Sequence, residues 1–426
     1  MQLYRIIGSV HFIALIGIFF RGASLIITFI STKYLIALLG IDGYAAYAVI
    51  FSLFGWISLF NFGFPVAIQN RMSFYKAKNK NIKRLKEQSL FLLVITLIFG
   101  GVLITPFSYV FFSFFILKIA PALDFSWYLL FMYLAFFQVL IDFSNRYFFA
   151  LGRGHISHFF AFLVSLFGFF SLLVSEFFEI KKFEYVLVIY FSSYFFCFIM
   201  SFYLAYKNVS FKINFFKLKV FLVPAKSYLI FAVLSSLVLK IDYLVMSKIL
   251  SPKEIMLYSI NMKVFMVVLF FYSTLLSVFW PSARELIVKG LSYEALKKMY
   301  FNIFLGLFST IIFSLFIVFF KNDIFDFLTN GTVFNISNGI IIMSFLYIVV
   351  RVWSDSFAVV LQSMNRFKDL AFIVPFQAVC SLVGQYYFGS KYGVEGIFLG
   401  LILSFLMTVV WYLPIKLYKN LRILNE

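Results

Sequence analysis

The sequence predicts an all-α, polytopic membrane protein of about twelve transmembrane helices. Three observations predict it: an excess of apolar residues, their division into runs of membrane-spanning length, and basic residues confined mostly between the runs. Of 426 residues, 63% are apolar, 12% are charged and 65 are Phe, and the mean hydropathy is +1.01. A soluble domain carries about 45–50% apolar and about 25% charged residues. No soluble interior of this length hides so much apolar surface. A soluble enzyme, a disordered chain and a secreted disulfide scaffold are therefore excluded.

A bilayer core about 30 Å thick is crossed by roughly 20 helical residues. Polar punctuation divides the chain into runs at 12–38, 44–68, 89–117, 125–150, 156–177, 184–206, 227–249, 256–280, 299–320, 335–362, 369–388 and 394–415. Tyr44, Trp127, Tyr206 and Trp411 stand at run margins, where amphipathic rings suit the membrane interface. With both termini placed in the cytoplasm, the segments on that side carry 23 Lys and Arg, and the opposite loops carry 6. That asymmetry over short loops orients the chain with both termini cytoplasmic. It also explains the net charge of +19 without a nucleic-acid partner. No secretory signal peptide is evident, because the first run carries Arg21 and continues too far.

The fourth and tenth runs echo one another. Asp142-Phe-Ser-Asn-Arg146 precedes Arg153, and Arg351-Val-Trp-Ser-Asp355 precedes Arg366; both Asp142/Asp355 and Arg153/Arg366 are offset by 213 residues, half the chain. A weaker echo pairs Tyr34-Leu-Ile with Tyr243-Leu-Val. With six runs on each side, this predicts two six-helix lobes, 1–213 and 214–426, of a kind that binds substrate near the midplane.

Seven bases lie inside the runs: Arg21, Lys33, Arg146, Lys240, Lys248, Lys263 and Arg351. Away from the run ends three acids accompany them, Asp142, Asp242 and Asp355; Glu176, Glu184, Asp369 and Glu395 stand at run margins. Lys33 and Lys248 lie near run ends and can snorkel to the interface. A charge at mid-membrane costs at least about 2.5–3.5 kcal/mol and survives by facing a partner or a wet cavity. Arg21, Ser24, Thr28 and Ser31 share one helical face. That face either lines a cavity or bonds back to its own helix and glues helices together. Asn61, beside Gly63 and Pro65, adds a polar group at an expected helix break. Asp142/Arg146 and Arg351/Asp355 have the i,i+4 spacing of an intrahelical clasp. Lys240 and Asp242, two apart on a helix, would point away from each other, so each needs another partner; Lys263 on the next run is within reach of Asp242. The surplus of bases calls for an anion, which a phosphorylated substrate supplies.

Other chemistry has no residues to carry it. There is no Gly-rich phosphate loop, and hence no built-in ATPase. Two cysteines (Cys197 and Cys380) and three histidines form no metal site, no cofactor is expected, and no loop is long enough for a catalytic domain.

The run Leu39-Gly-Ile-Asp-Gly43-Tyr-Ala-Ala-Tyr47, followed by Leu59-Phe-Asn-Phe-Gly63-Phe-Pro and a basic loop, resembles the first two spans of Wzx-type polysaccharide-export flippases. Asp242-Tyr-Leu, Tyr258-Ser-Ile-Asn261, Trp280-Pro281 with Ala283-Arg284, and Gly393-Val-Glu-Gly396-Ile-Phe-Leu-Gly400 resemble later parts of that family. The resemblance implies the two-lobe fold shared with multidrug extrusion proteins. It also implies movement of undecaprenyl-pyrophosphate-linked oligosaccharide, such as O-antigen or capsule units, to the outer leaflet of the bacterial inner membrane, beside glycan polymerases and other assembly proteins. By the same analogy Arg21, Lys240, Lys263 and Arg351, with Ser24, Thr28 and Asn61, would meet the head group, and Asp142, Asp242 and Asp355 would serve as coupling or structural acids. Two other readings stand beside it. A multidrug or metabolite antiporter of the same fold is disfavoured by a first span with bases and no acid. A membrane glycan polymerase or ligase is disfavoured by short outer loops.

Overall fold

The computed structural model describes residues 2–425 apart from 78–79, 211–218, 330, 332–335 and 365. The described residues are helical almost throughout, with no strand among them. The expected lobe boundary at 213/214 and the expected start of the tenth span at 335 lie outside the described residues.

In chain order the helices are α1 (Gln2–Ser52), α2 (Phe54–Ile57), α3 (Phe64–Ala77), α4 (Lys83–Phe111), α5 (Leu117–Ile119), α6 (Phe125–Ala150), α7 (Gly154–Phe177) and α8 (Phe183–Tyr206). They continue with α9 (Lys219–Leu239), α10 (Asp242–Ile249), α11 (Pro252–Val288), α12 (Ser292–Thr329), α13 (Asn338–Ser363), α14 (Phe367–Met407) and α15 (Val409–Asn425). A 3₁₀ turn (Ser58–Asn61) follows α2, and a π-helical turn (Phe112–Ile116) joins α4 to α5.

Ten stretches are long and apolar enough to cross a membrane. Two of them, Ile16–Asn61 and Asp369–Arg422, have 46 and 54 residues. As straight helices they would run about 69 and 81 Å, more than twice the bilayer core of about 30 Å. Each contains a glycine in the left-handed region, Gly40 at φ 68° and Gly393 at φ 57°, which a side chain disfavours. Around Gly393 the reversal is visible in the packing. A Cβ on Gly384 would stand 3.2 Å from the Cα of Gly400, although a straight helix would separate these residues by about 24 Å. Gly396 and Gly400 form a small-xxx-small face against which the returning backbone lies, and a Cβ on either would collide with backbone atoms of 384–389. The ten stretches therefore hold twelve crossings, and the chain is a multi-pass membrane protein. Its outward face is apolar: Phe177 is 82% exposed and Phe319 80%, as lipid contact allows and water would not.

Several helices outrun the expected spans. The eighth and ninth, expected at 256–280 and 299–320, extend over Pro252–Val288 and Ser292–Thr329. Continuing the helix beyond the hydrocarbon keeps the backbone hydrogen-bonded while the side chains turn polar. The second span, by contrast, is interrupted. Phe62 (φ 54°) and Gly63 (φ 74°) break it, and the Gly63 amide donates to Asn61 Oδ1 at 2.7 Å, a side-chain turn that ends the helix. The chain then resumes as α3, which occupies the first part of the expected 69–88 loop.

The chain divides into two compact units, Met1–Val233 and Leu234–Glu426. In the first, α1 packs along α7, and α6 packs on α3, α4 and α8. Its centre is aromatic: Phe191, fully buried, meets Phe54 at 4.8 Å, Phe131 at 6.0 Å and Tyr47 at 6.2 Å between ring centroids. Lipid is as apolar as these rings, so fit and ring geometry, and not burial from water, hold such a core together. In the second unit α13 is central and packs on α11, α12, α14 and α15; Trp353 Nε1 ties it to the carbonyl of Val410 at 3.1 Å.

Candidate functional site

In the first unit, Arg21 and Ser24 project from α1 toward α7. Arg21 Nε donates to His158 Nδ1 at 3.1 Å, and the hydroxyls of Ser24 and Ser165 meet at 2.7 Å. Both arginine and histidine are half-buried. Thr28 and Thr32 instead donate to carbonyls one turn earlier, of Ser24 and Thr28, each at 2.8 Å. The polar face is therefore split, with Arg21 and Ser24 engaging another helix and the threonines their own backbone. Asn61 is occupied by the Gly63 amide.

On α6 the Asp142/Arg146 clasp is closed, with Nε 3.2 Å from the carboxylate, and Arg146 Nη1 also donates to Gln69 Oε1 on α3 at 3.1 Å. The matching pair on α13 is closed too. Arg351 Nη2 and Nε lie 3.0 and 3.2 Å from Asp355 Oδ2, while Nη1 donates to the Tyr347 hydroxyl at 3.1 Å. The guanidinium also lies over the rings of Tyr347 (5.9 Å) and Phe405 (6.0 Å).

The seventh span departs from the regular helix on which the expected separation of Lys240 and Asp242 rested. α9 ends at Leu239 and α10 begins at Asp242, so Lys240 and Ile241 form a break. Lys240 is exposed there, and Asp242 is buried at the first position of α10. The Asp242 carboxylate accepts from the Tyr258 hydroxyl at 2.6 Å and from the Tyr243 amide at 3.0 Å; these satisfy it at a helix N-terminus, where a negative charge is favoured. Lys263 is half-buried on α11, one turn beyond Ser259, and Asn261 Nδ2 donates to the hydroxyl of Ser344 on α13. Tyr258 and Tyr347 are linked through Phe398, at centroid distances of 5.0 and 6.3 Å.

Three residues of these networks, His158, Tyr258 and Tyr347, were not singled out as site residues from sequence. An imidazole inside an apolar run was the available signal for His158. For Tyr347 the signal was its position one turn before Arg351, and Tyr258 stood in the Tyr258-Ser-Ile-Asn261 motif without a role assigned to it. Among the described residues no group of three His, Cys, Asp or Glu side chains is placed to hold a metal ion.

No protein-family model matches the chain. It is similar to proteins named "Putative O-antigen transporter" in Salmonella typhi (33% identical, covering 92% of this chain and 93% of that one) and in Salmonella typhimurium (31% identical, 90% and 91%). It is also similar to an O-antigen export protein, so named, of Yersinia pseudotuberculosis (32% identical, 92% of each). Among solved structures, a multidrug resistance MATE family transporter of the MOP superfamily in its inward-facing conformation has a TM-score of 0.74 at 12% identity, covering 96% of this chain and 99% of that one. A MOP superfamily transporter from Pyrococcus furiosus has a TM-score of 0.70 at 10% identity, covering 98% and 96%. At such identity the likeness establishes the fold alone, that of a MATE-like transporter.

Proposed function

We propose, for a chain that belongs to the family of O-antigen transporters and export proteins, that it carries a lipid-linked O-antigen repeat unit across the bacterial inner membrane. The chain is a transporter and not an enzyme, in keeping with its relatives. The substrate in this reading is an undecaprenyl-pyrophosphate-linked oligosaccharide, handed from the cytoplasmic to the outer leaflet by alternating access of two six-helix lobes. The prenyl tail stays in lipid, both termini lie in the cytoplasm, and the product passes to the glycan-assembly machinery outside.

One observation carries the head-group assignment. Asp142 and Asp355 are each taken by an arginine of their own helix, which leaves, away from the run ends, one acid, Asp242, beside three bases, Arg21, Lys240 and Lys263. A persistent cationic excess inside a membrane favours an anionic substrate. Arg21 is the principal candidate, because a guanidinium grips a phosphate through two parallel bonds. Lys240 and Lys263 act as point charges, and Arg351, already paired, contributes least. Ser24 supports Arg21 through the α7 contact, Thr28 lies on the same span, and Asn61 stands at the break of the second span.

The test is a vesicle assay with a fluorescent polyprenyl-pyrophosphoryl oligosaccharide, following its loss from one leaflet with no new covalent bond. Wild type moves the probe; Arg21→Ala does not, at unchanged abundance in the membrane. Normal movement in Arg21→Ala, Lys240→Ala, Lys263→Ala and Arg351→Ala alike would overturn the assignment. Reporter fusions placing either terminus outside would overturn the orientation.

A further inference from the structure

In the second unit α12 and α15 stand on either side of α13, and each packs on it. The hydroxyls of Tyr300 on α12 and Tyr418 on α15 bridge the gap between them. From this bridge two apolar walls run into the membrane. Phe304, Phe308 and Ile311 follow Tyr300 on one face of α12, and the first two rings stack at 6.0 Å. Ile415 and Trp411 precede Tyr418 by three and seven residues, again on one face. Walls in mutual contact would cover these side chains, yet Phe304 is 61%, Ile415 64% and Trp411 68% exposed. The walls therefore stand apart as a groove, and α13 forms its floor. Phe357 lies edge-on to Tyr300 at 6.4 Å, Trp353 meets Phe357 at 4.9 Å, and Trp353 Nε1 reaches the carbonyl of Val410 on α15.

The length of the groove and the charge at its mouth narrow what fits it. From Tyr300 to Ile311 α12 rises about 17 Å, close to half of a hydrocarbon core about 30 Å thick. That is the reach of an acyl chain from one leaflet. The helix ends around the tyrosines, residues 292–300 and 409–425, carry five bases, Lys297, Lys298, Lys416, Lys419 and Arg422, and one acid, Glu294. Lys416 is held away from the groove by Asp369 of α14, 4.0 Å distant, which also accepts from Asn420 at 3.0 Å. Lys297, one turn before Tyr300, is exposed, and so is Lys419, one turn past Ile415 on the same wall. Hydroxyls and lysines at the end of a one-leaflet apolar channel suit a phosphate carrying an acyl chain.

We propose that this groove binds one anionic phospholipid. An acyl chain lies between α12 and α15, and the phosphate meets Tyr300, Tyr418, Lys297 and Lys419. The inference uses neither Arg21 nor the transported substrate, so it stands or falls apart from the function proposed above.

Delipidated full-length protein is titrated with phosphatidylglycerol or phosphatidylethanolamine of identical chains, and bound copies are counted by native mass spectrometry. Phosphatidylglycerol binds as one copy and at least about tenfold tighter, since a base near an anionic lipid is worth about fivefold. On the same scale Lys297→Gln with Lys419→Gln weakens phosphatidylglycerol about 25-fold and leaves phosphatidylethanolamine unchanged. Lys83→Gln with Arg84→Gln removes equal charge from an exposed position at the start of α4 and leaves both lipids unchanged. Equal losses in the two double variants would mean diffuse surface charge and overturn the site. The chain is located with phosphatidylglycerol bearing a diazirine midway along one acyl chain. It labels residues 301–311 and 411–415 preferentially; labelling no denser there than at the exposed Phe99 and Phe177 of the first unit overturns the groove. Labelling abolished by an equimolar polyprenyl-pyrophosphoryl oligosaccharide gives the groove to that lipid and overturns the phospholipid assignment.

Discussion

The two units each close one arginine on an acid of its own helix, Arg146 on Asp142 and Arg351 on Asp355, and differ in how they hold a further charged residue. In the first, Arg21 reaches across to another helix and meets a neutral ring, with a serine pair alongside. In the second, charge is closed on itself. Arg351 takes Asp355 from its own helix and Tyr347 one turn away, and Asp242 takes Tyr258. Aromatic rings enclose both, with Tyr243, Tyr258, Phe398, Tyr347 and Phe405 following one another at centroid distances of 5.0–6.3 Å. An i,i+4 ion pair forms within one helix and needs no tertiary partner, so it makes a spanning helix tolerable to the bilayer. The contrast is between charges paired along one helix and a charge held between two helices.

The largest expected effect tests the closed side. Arg351→Ala leaves the Asp355 carboxylate without its partner, a change of about 3–5 kcal/mol for a buried pair. Asp355 is 35% exposed, so the loss should fall toward the lower end. Thermal unfolding in detergent reads it, and Arg351→Met with Asp355→Leu should restore most of the stability. If Arg351→Ala instead abolishes transport at full stability, the two units do not differ as described.

Tyr258→Phe comes next. It removes a hydroxyl that donates to the buried Asp242 carboxylate and should destabilise by about 1.5–3 kcal/mol. The same unfolding measurement checks it, and Asp242→Asn in the Phe background should recover part of the loss, since an amide costs less to leave half-satisfied than a charge. An unchanged unfolding temperature would show that Asp242 is solvated by other means.

The smallest expected stability effect sharpens the open side. Ser165→Ala removes the Ser24 contact and should cost about 0.6–1.7 kcal/mol, the measured scale of interhelical hydrogen bonds in membranes. Transport should drop by a larger factor than stability does, because the α1–α7 register carries Arg21. Equal losses in both would make the seam purely structural.

Much of this was legible locally. A crossing is a property of about 20 consecutive residues, so twelve runs could be read off before any contact was known. Gly40 and Gly393 sit where two of the connections were expected. The clasps at 142/146 and 351/355 are set by spacing on one helix, which the sequence states outright. The Arg21–His158 contact was not legible, because its members are 137 residues apart and either could have faced lipid or another helix. The break at Lys240–Ile241 was missed for a different reason. No Gly or Pro marks it, and the angular argument about Lys240 and Asp242 assumed a helix that does not continue.

By itself, the sequence determined that the chain crosses a membrane about twelve times, which side of each span its bases favour, and that cations outnumber acids away from the span ends. These follow from transfer free energies, which each short segment pays independently of the others. Only the tertiary structure decided which of those cations meets its own helix and which meets another. Pairing is a matter of which helix faces which, and inside lipid that is settled by close packing, glycine contacts and single hydrogen bonds between residues far apart in the chain.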